Sequence, residues 1–336
     1  MSAFLLAWCA TAIGFTVTAL FKTRRTSPAT PRARPAVILL RPVDAPTDTE
    51  VENLRHAPAS TEQWVLSPTC PPGCAGWWVA SHPKRINRKL GHLQNALAKL
   101  ALDQPVVIAD ADVRVDDALV EALLAGLESG AALTWAAPAP VAPGLERGLL
   151  VQSAHSFEVL DAMSPGSSPL CGKAMALSPQ ALEVLRILPD CVGEDLELSK
   201  ELHAYNLQTR LVARAQLPGA RPASAAFARF SRWMQVLRAH RGALFPSIPL
   251  FFACTPVLLA ASVVGPWSLR APVALLFVAR MALAWRQEGR VSLWWLPGEA
   301  LLLASWVRAL WLGQRVTWRG RTLQLGPAGA LREVTR

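Results

Sequence analysis

Three short stretches hold most of the side chains that could do chemistry. "VVIADADVRV" (106–115) is an apolar, β-branched run that carries Asp110 and Asp112 at its far end. Residues i and i+2 of a strand share a face. The two carboxylates are therefore expected side by side, where they repel unless a proton or a cation lies between them. Carboxylates suit hard cations, and magnesium typically takes one or two of them with phosphate oxygens. A metal held there can stabilise a departing diphosphate. "CVGEDLELSKELHAYNLQTRLV" (191–212) places Glu194 and Asp195 at the start of an amphipathic helix, where the helix dipole favours acids. "FARFSRWMQVLRAHR" (227–241) sets Arg229, Arg232 and Trp233 on another helix, ahead of an apolar run. The plain alternatives are a solvated strand-end turn, a helix cap and a basic, aromatic interfacial helix.

The elements that must position these residues can be read around them. "AVILLRP" (36–42), "EQWVLSP" (62–68), "GWWVAS" (76–81) and "PVVIADADVRV" (105–115) have the β-branched and aromatic content of strands. "NRKLGHLQNALAKLAL" (87–102) repeats leucine at helical spacing, and "DDALVEALLAGLES" (116–129) has an acidic start and a leucine face. Strands alternating with helices predict an α/β sheet with parallel pairing. Ligands of such sheets sit beyond the carboxyl ends of the strands, where Asp110 and Asp112 fall.

Composition sets this domain at a membrane. The chain has 336 residues, is 52% hydrophobic and carries a formal charge of +10. So basic a chain suits nucleic acid, an anionic membrane or phosphate ligands, and the apolar runs favour the membrane, with no nucleic-acid partner. Residues 1–22 predict a spanning anchor. Lys22, Arg24, Arg25, Arg32 and Arg34 follow it, so the next domain is expected in the cytoplasm. A basic, Pro-rich linker (23–35) leads to a soluble-looking domain (36–242). Then come a membrane hairpin (245–267 and 268–285) and an apolar segment (292–313). The latter contains Glu299, Arg308 and four tryptophans and is expected to be interfacial or re-entrant. Membrane elements thus fill 243–313, and a basic tail (314–336) should fold back beside the site. "CPPGC" (70–74) reads as a loop turn, and the cysteines as reduced thiols.

In this order the motifs resemble those of the membrane-bound inverting glycosyltransferases of the ceramide glucosyltransferase group, including bacterial hopanoid-pathway relatives. "DAD" at 110–112 matches their D-x-D-like strand end, "ED" at 194–195 their E-D pair and "RFSRW" at 229–233 their R/Q-x-x-R-W helix. "INRKLGHLQNAL" (86–97) is similar to their N-x-K segment, "GKAMALS" (172–178) to the stretch before the E-D pair, and "VTWRGRTLQL" (316–325) to a terminal W-R-G stretch.

The resemblance implies a GT-A domain between membrane helices in a bacterial inner membrane. It implies transfer of a glucose-like hexose or hexosamine from a UDP-linked donor to a hydroxyl of a membrane lipid such as ceramide or a hopanoid. Asp195 would be the general base. Arg229, Arg232, Trp233 and Lys89 would serve the donor diphosphate. Asp110 and Asp112 would hold magnesium or manganese, and Asp44, Asp48 and Asp110 the nucleotide. One part departs: Thr47 stands at the aligned position of the usual first-strand aspartate, and "VLSPTCPPGCAG" (65–76) contains no acid. A processive polysaccharide synthase and a degenerate, non-catalytic membrane scaffold are the alternatives.

Overall fold

A computed structural model describes residues 2–23, 35–166, 169–318 and 321–333. Residues 24–34 of the expected linker, with its four arginines, lie outside the described residues, as do Arg319 and Gly320 of the W-R-G stretch.

Seven strands form one mixed sheet in the order β3-β2-β1-β4-β6-β5-β7: β1 (Val37–Pro42), β2 (Thr61–Ser67), β3 (Trp77–Ala80), β4 (Val106–Ala109), β5 (Leu133–Pro140), β6 (Ala174–Leu177) and β7 (Thr209–Leu217). The first four are parallel, as the alternating pattern implies. β6 runs antiparallel to both β4 and β5, which the sequence pattern does not foretell. Successive residues of the central strands face opposite layers. Leu40 and Ile108 pack with Leu90, Leu93 and Leu97 on one side, while Leu39 and Val107 pack with Val120 and Leu123 on the other.

The helices of this domain are α2 (Asp48–Leu54), α3 (Arg88–Leu97), α4 (Asp117–Glu128), α5 (Leu145–Met163), α6 (Pro179–Ile187), α7 (Glu194–Ala204) and α8 (Ala223–His240), with α3 and α4 on opposite faces of the sheet. Asn87 and Asp116 cap α3 and α4 through their side chains. α3 is shorter than the apolar repeat: a tighter turn, with the Lys99 N–H on the Ala96 carbonyl at 2.9 Å, ends it.

The D-x-D residues differ from the expected strand geometry. β4 stops at Ala109, and Asp110 and Asp112 lie in the turn that follows. The buried guanidinium of Arg41 explains this. It donates to the carbonyls of Val113 (2.8 Å) and Asp110 (3.2 Å), while Asn53 Nδ2 donates to that of Ala111 (3.0 Å). These carbonyls point inward to side chains, so they cannot continue a ladder.

Of the apolar helices, α1 (Ser2–Lys22) and the segment Trp267–Glu288 containing α10 (Arg270–Glu288) are long and apolar enough to cross a membrane, by length and composition. The first arm of the expected hairpin is instead broken into a π-helical turn (Ile248–Phe252) and α9 (Thr255–Val264). Pro246, Pro249 and Pro256 lack the N–H that a continuous helix needs. α9, at ten residues, rises about 15 Å, half of a bilayer core of about 30 Å.

α11 (Trp295–Leu312) lies against α5 and α8. The contact with α5 is so close that a Cβ on Gly298 would stand 2.3 Å from the Gly148 carbonyl oxygen. Glu299, fully buried, accepts the Thr255 N–H (2.9 Å) and faces Arg280 Nε at 3.4 Å. Arg308 is exposed, its guanidinium 5.1 Å from the Phe227 ring. Of the tryptophans expected at an interface, Trp311 is exposed, whereas Trp295 is buried beside Phe277. The tail forms a three-stranded antiparallel sheet of β8 (Arg315–Trp318), β9 (Arg321–Leu325) and β10 (Leu331–Glu333).

Candidate active site

A cavity of about 890 Å³ opens where β1 and β4 end, walled by α3, α7 and α8. Its floor is ionic. Lys89, in the first turn of α3, reaches Asp110 Oδ1 (2.8 Å), Glu194 Oε1 (3.0 Å) and the Gly172 carbonyl (2.9 Å). Lys173, just before β6, donates to Asp110 Oδ2 (2.9 Å) and to both oxygens of Asp112 (2.7 Å each). Arg229 lies 3.5 Å from Asp112 and 3.2 Å from Glu146, its guanidinium 4.7 Å over the Trp233 ring. Arg221 also spans Glu146 (3.0 Å) and Asp112 (3.4 Å). Arg232 lines the same cavity and, among the described residues, has no ion pair.

These contacts fix the charge states. Burial by itself would raise the Asp110 and Asp112 carboxyls. Lys173 offsets this for both, with Lys89 at Asp110 and Arg229 at Asp112, and holds them below the ordinary carboxylate range. Burial opposes the Lys89 ammonium, but Asp110 and Glu194 outweigh it and raise its pKa well above the usual value. Asp195 goes the other way. Burial, then the neighbouring Glu194 charge, push its carboxyl up to about 6, against the pull of Lys89. Its oxygens accept the N–H groups of Gly172 and Leu196, each at 2.9 Å. The cap position of α7 is Gly193, with φ +80°, so Asp195 is not the helix cap. Arg232 is lowered to about 10 by burial and by the nearby Arg229 and Arg221, a setting that favours an anion.

The structure thus gathers Lys89, Asp110, Asp112, Asp195, Arg229, Arg232 and Trp233 at one cavity. Asp44 lines it too, bound by Arg88 Nε (2.7 Å) and His92 Nε2 (2.9 Å). Asp48 does not belong to the cavity. It is the exposed first residue of α2, behind a capping box of Thr47 and Glu50. Its acidity suits a helix start. Lys173, Arg221, Glu146 and the supporting Arg41 are additions that motif reading missed. Lys173 stood inside "GKAMALS", whereas buried Glu146 in the first turn of α5 leaves no local signal.

Among the described residues, no group of three or more His, Cys, Asp or Glu side chains could hold a metal ion. A divalent cation that completes its shell with phosphate oxygens and water needs only one or two carboxylates. Asp110 and Asp112 fit that role, because the Lys173 ammonium between them shows that the pair receives a cation.

The tail reaches the loop that leads into α7. The Val192 N–H donates to the Gly329 carbonyl (3.0 Å), and Cys191 bridges Ala330. His240, at the end of α8, contacts Glu197 (2.9 Å) and the Val192 carbonyl (2.5 Å). Gly329 has φ +69°, and a Cβ there would stand 1.9 Å from His240 Nε2. Gly329→Val should unseat this strap. Hydrogen exchange of a peptide spanning 188–198 is expected to speed up about tenfold, and unchanged exchange would show that the strap carries no local stability.

A family model described as "Glycosyl transferase family 21" matches residues 75–331. No curated protein matches. A mannosyltransferase from Pyrobaculum calidifontis, solved in complex with GDP-Man and Mn2+, has a similar structure. The TM-score is 0.53 at 19% identity, covering 92% of this chain and 98% of that one, which shows a GT-A fold. Glucosyl-3-phosphoglycerate synthase from Mycobacterium tuberculosis, solved with Mn2+, UDP-Glc and phosphoglyceric acid, aligns at a TM-score of 0.45 and 16% identity, covering 66% of this chain and 88% of that one.

Proposed function

Because the chain belongs to glycosyl transferase family 21, the family of the ceramide glucosyltransferases, we propose that it moves a hexose or hexosamine from a UDP-linked donor to a hydroxyl of a membrane lipid, with inversion. One observation carries the lipid acceptor. The cavity that holds Asp195 and the arginines continues into an apolar side lined by Phe157, Leu160, Met234, Ile248 and Leu302. An acceptor with its hydroxyl at Asp195 and its chain along those residues lies partly among elements next to α1 and α10. We read these two helices as the membrane anchor, with the GT-A domain on the cytoplasmic face.

In this reading Asp195 accepts the proton of the acceptor hydroxyl as its oxygen attacks the anomeric carbon. The new C–O bond forms while the bond to the donor phosphate breaks, so one displacement inverts the centre. The electron pair leaves with the nucleoside diphosphate. Arg229 and Arg232 receive its charge through planar guanidinium forks, with Lys89 behind them and Trp233 stacked on Arg229. Asp44, backed by Arg88 and neutral His92, faces the nucleoside; burial lowers His92 to about 4. A divalent cation at Asp110 and Asp112 supplies further neutralisation of the diphosphate when bound.

A base must be ionised to take a proton. Turnover at saturating substrates is therefore expected to rise with pH through about 6, the value to which burial and Glu194 lift Asp195. A flat profile from pH 5 to 8 would speak against that residue as base. The activity is tested with the protein in lipid nanodiscs, hydroxyl-bearing lipid and radiolabelled UDP-glucose, with GDP-mannose in parallel. Label from the UDP donor should enter the organic-extractable lipid. Label that stays in water as free sugar or polymer would overturn the lipid acceptor.

A further inference from the structure

Lys173 closes the carboxylate pair completely. All three donors of its ammonium are spent on Asp110 and Asp112, at 2.7–2.9 Å, and the side chain is 6% exposed. Its backbone is tied to the same turn, because its carbonyl accepts the Asp110 N–H at 2.9 Å. Magnesium binds carboxylate oxygens at about 2.0–2.1 Å, so an ion bridging this pair would fall on the ammonium. Metal and Lys173 cannot hold both carboxylates together.

Charge says when the exchange is favourable. Around the pair, the carboxylates of Asp110, Asp112, Glu146, Glu194 and Asp195 equal in number the cations Lys89, Lys173, Arg221, Arg229 and Arg232, while farther along the wall Asp44 is paired with Arg88 and Glu50 is held by Thr47. A divalent cation entering alone leaves this enclosed site with two excess positive charges and a displaced ammonium without a partner. The sugar-linked diphosphate of the donor entering alone leaves two excess negative charges, and a free nucleoside diphosphate leaves about three. Unpaired charge away from water is costly, whereas the donor and the divalent ion together restore neutrality. The diphosphate also gives the released ammonium an anion to meet.

We propose that Lys173 is an internal cation that keeps Asp110 and Asp112 closed until a nucleoside diphosphate arrives, so that the divalent ion enters with the diphosphate and not before it, and that the freed ammonium becomes a further diphosphate contact. The proposal rests on the donor site described above and adds an order of binding and a residue to it. It also predicts linkage: whatever factor the nucleotide contributes to metal affinity, the metal contributes to nucleotide affinity.

The test uses the full-length protein in nanodiscs and the electron paramagnetic resonance signal of free Mn2+, titrated without nucleotide, with UDP and with GDP. For the wild type, UDP or GDP should tighten Mn2+ binding by about 5- to 150-fold. Lys173→Met should raise the Mn2+ affinity of the nucleotide-free protein and shrink that factor towards one, while Lys84→Met, at an exposed position, should change neither. Equal wild-type affinity for Mn2+ with and without bound nucleotide overturns the proposal, and does so even if Lys173→Met fails to fold. A folded Lys173→Met protein whose metal affinity matches the wild type overturns it as well. If the protein binds neither nucleotide at any Mn2+ concentration, the donor reading falls and takes the proposal with it.

Discussion

Asp195→Asn should lower turnover by about 100- to 10,000-fold, the usual range for a positioned general base, while sugar-nucleotide affinity stays within a few-fold of wild type. Asparagine keeps the size of the side chain and can still accept one of the two N–H groups, that of Gly172 or that of Leu196, through its single amide oxygen. What it lacks is the site for the proton. Stability should move the other way. Burial and Glu194 raise the folded-state pKa of Asp195 from 3.8 to about 6. The carboxyl therefore helps the folded state at pH values below about 4, and that help is lost as pH rises through about 6. At pH 8 the wild type carries a buried charge that the variant does not. The melting temperature of Asp195→Asn relative to wild type should therefore be higher at pH 8 than at pH 4. A variant that keeps more than half the wild-type turnover would move the base elsewhere.

Arg232→Lys is the second large effect. Arg232 has no ion pair among the described residues, and Arg229 and Arg221 crowd it. An incoming diphosphate would be its first close anion. Lysine keeps the charge but loses the planar fork that grips two phosphate oxygens. Losing a charged hydrogen bond costs about 1.5–3 kcal/mol, so kcat/KM for the donor should fall about 10- to 100-fold. Arg238→Lys is the comparison. Arg238 is exposed on the same helix, 5.7 Å from the Phe245 ring, and its change should be nearly silent. Equal losses at both positions, in steady-state kinetics with varied donor, would favour an interfacial helix over a diphosphate clamp. Arg241 would be a poorer comparison, since it donates to Ser199 at 2.9 Å.

The parts legible in the sequence are those with local causes. β-branched and aromatic content locates β1 to β3 and the start of β4, and the leucine repeat locates α3 because Leu90, Leu93 and Leu97 fill the core. Asp110 with Asp112, Glu194 with Asp195, and Arg229 with Arg232 are visible as motifs because each lies within a few residues of its neighbour. The rest depends on distant contacts. Asp110 and Asp112 do converge, but through a turn held by Arg41, 69 residues away from Asp110, and not through strand alternation. Glu146 became a site residue only when α5 met Arg221, 75 positions later. By sequence Asp48 is as eligible as Asp44, because no sequence distance distinguishes a helix start from a cavity wall. Hydrophobicity alone marks 245–267 as a membrane arm, yet its prolines break it into a π-helical turn and α9.

The central claim is that a sugar is placed on a lipid hydroxyl with Asp195 as the base. Comparative mass spectrometry of total lipids, from cells making the wild-type protein and cells making Asp195→Asn at equal level, tests it most directly. Lipid species heavier by one hexose or hexosamine residue are expected with the wild type and not with the variant. Identical lipid profiles in the two strains, or the same glycolipid formed by both, would contradict it.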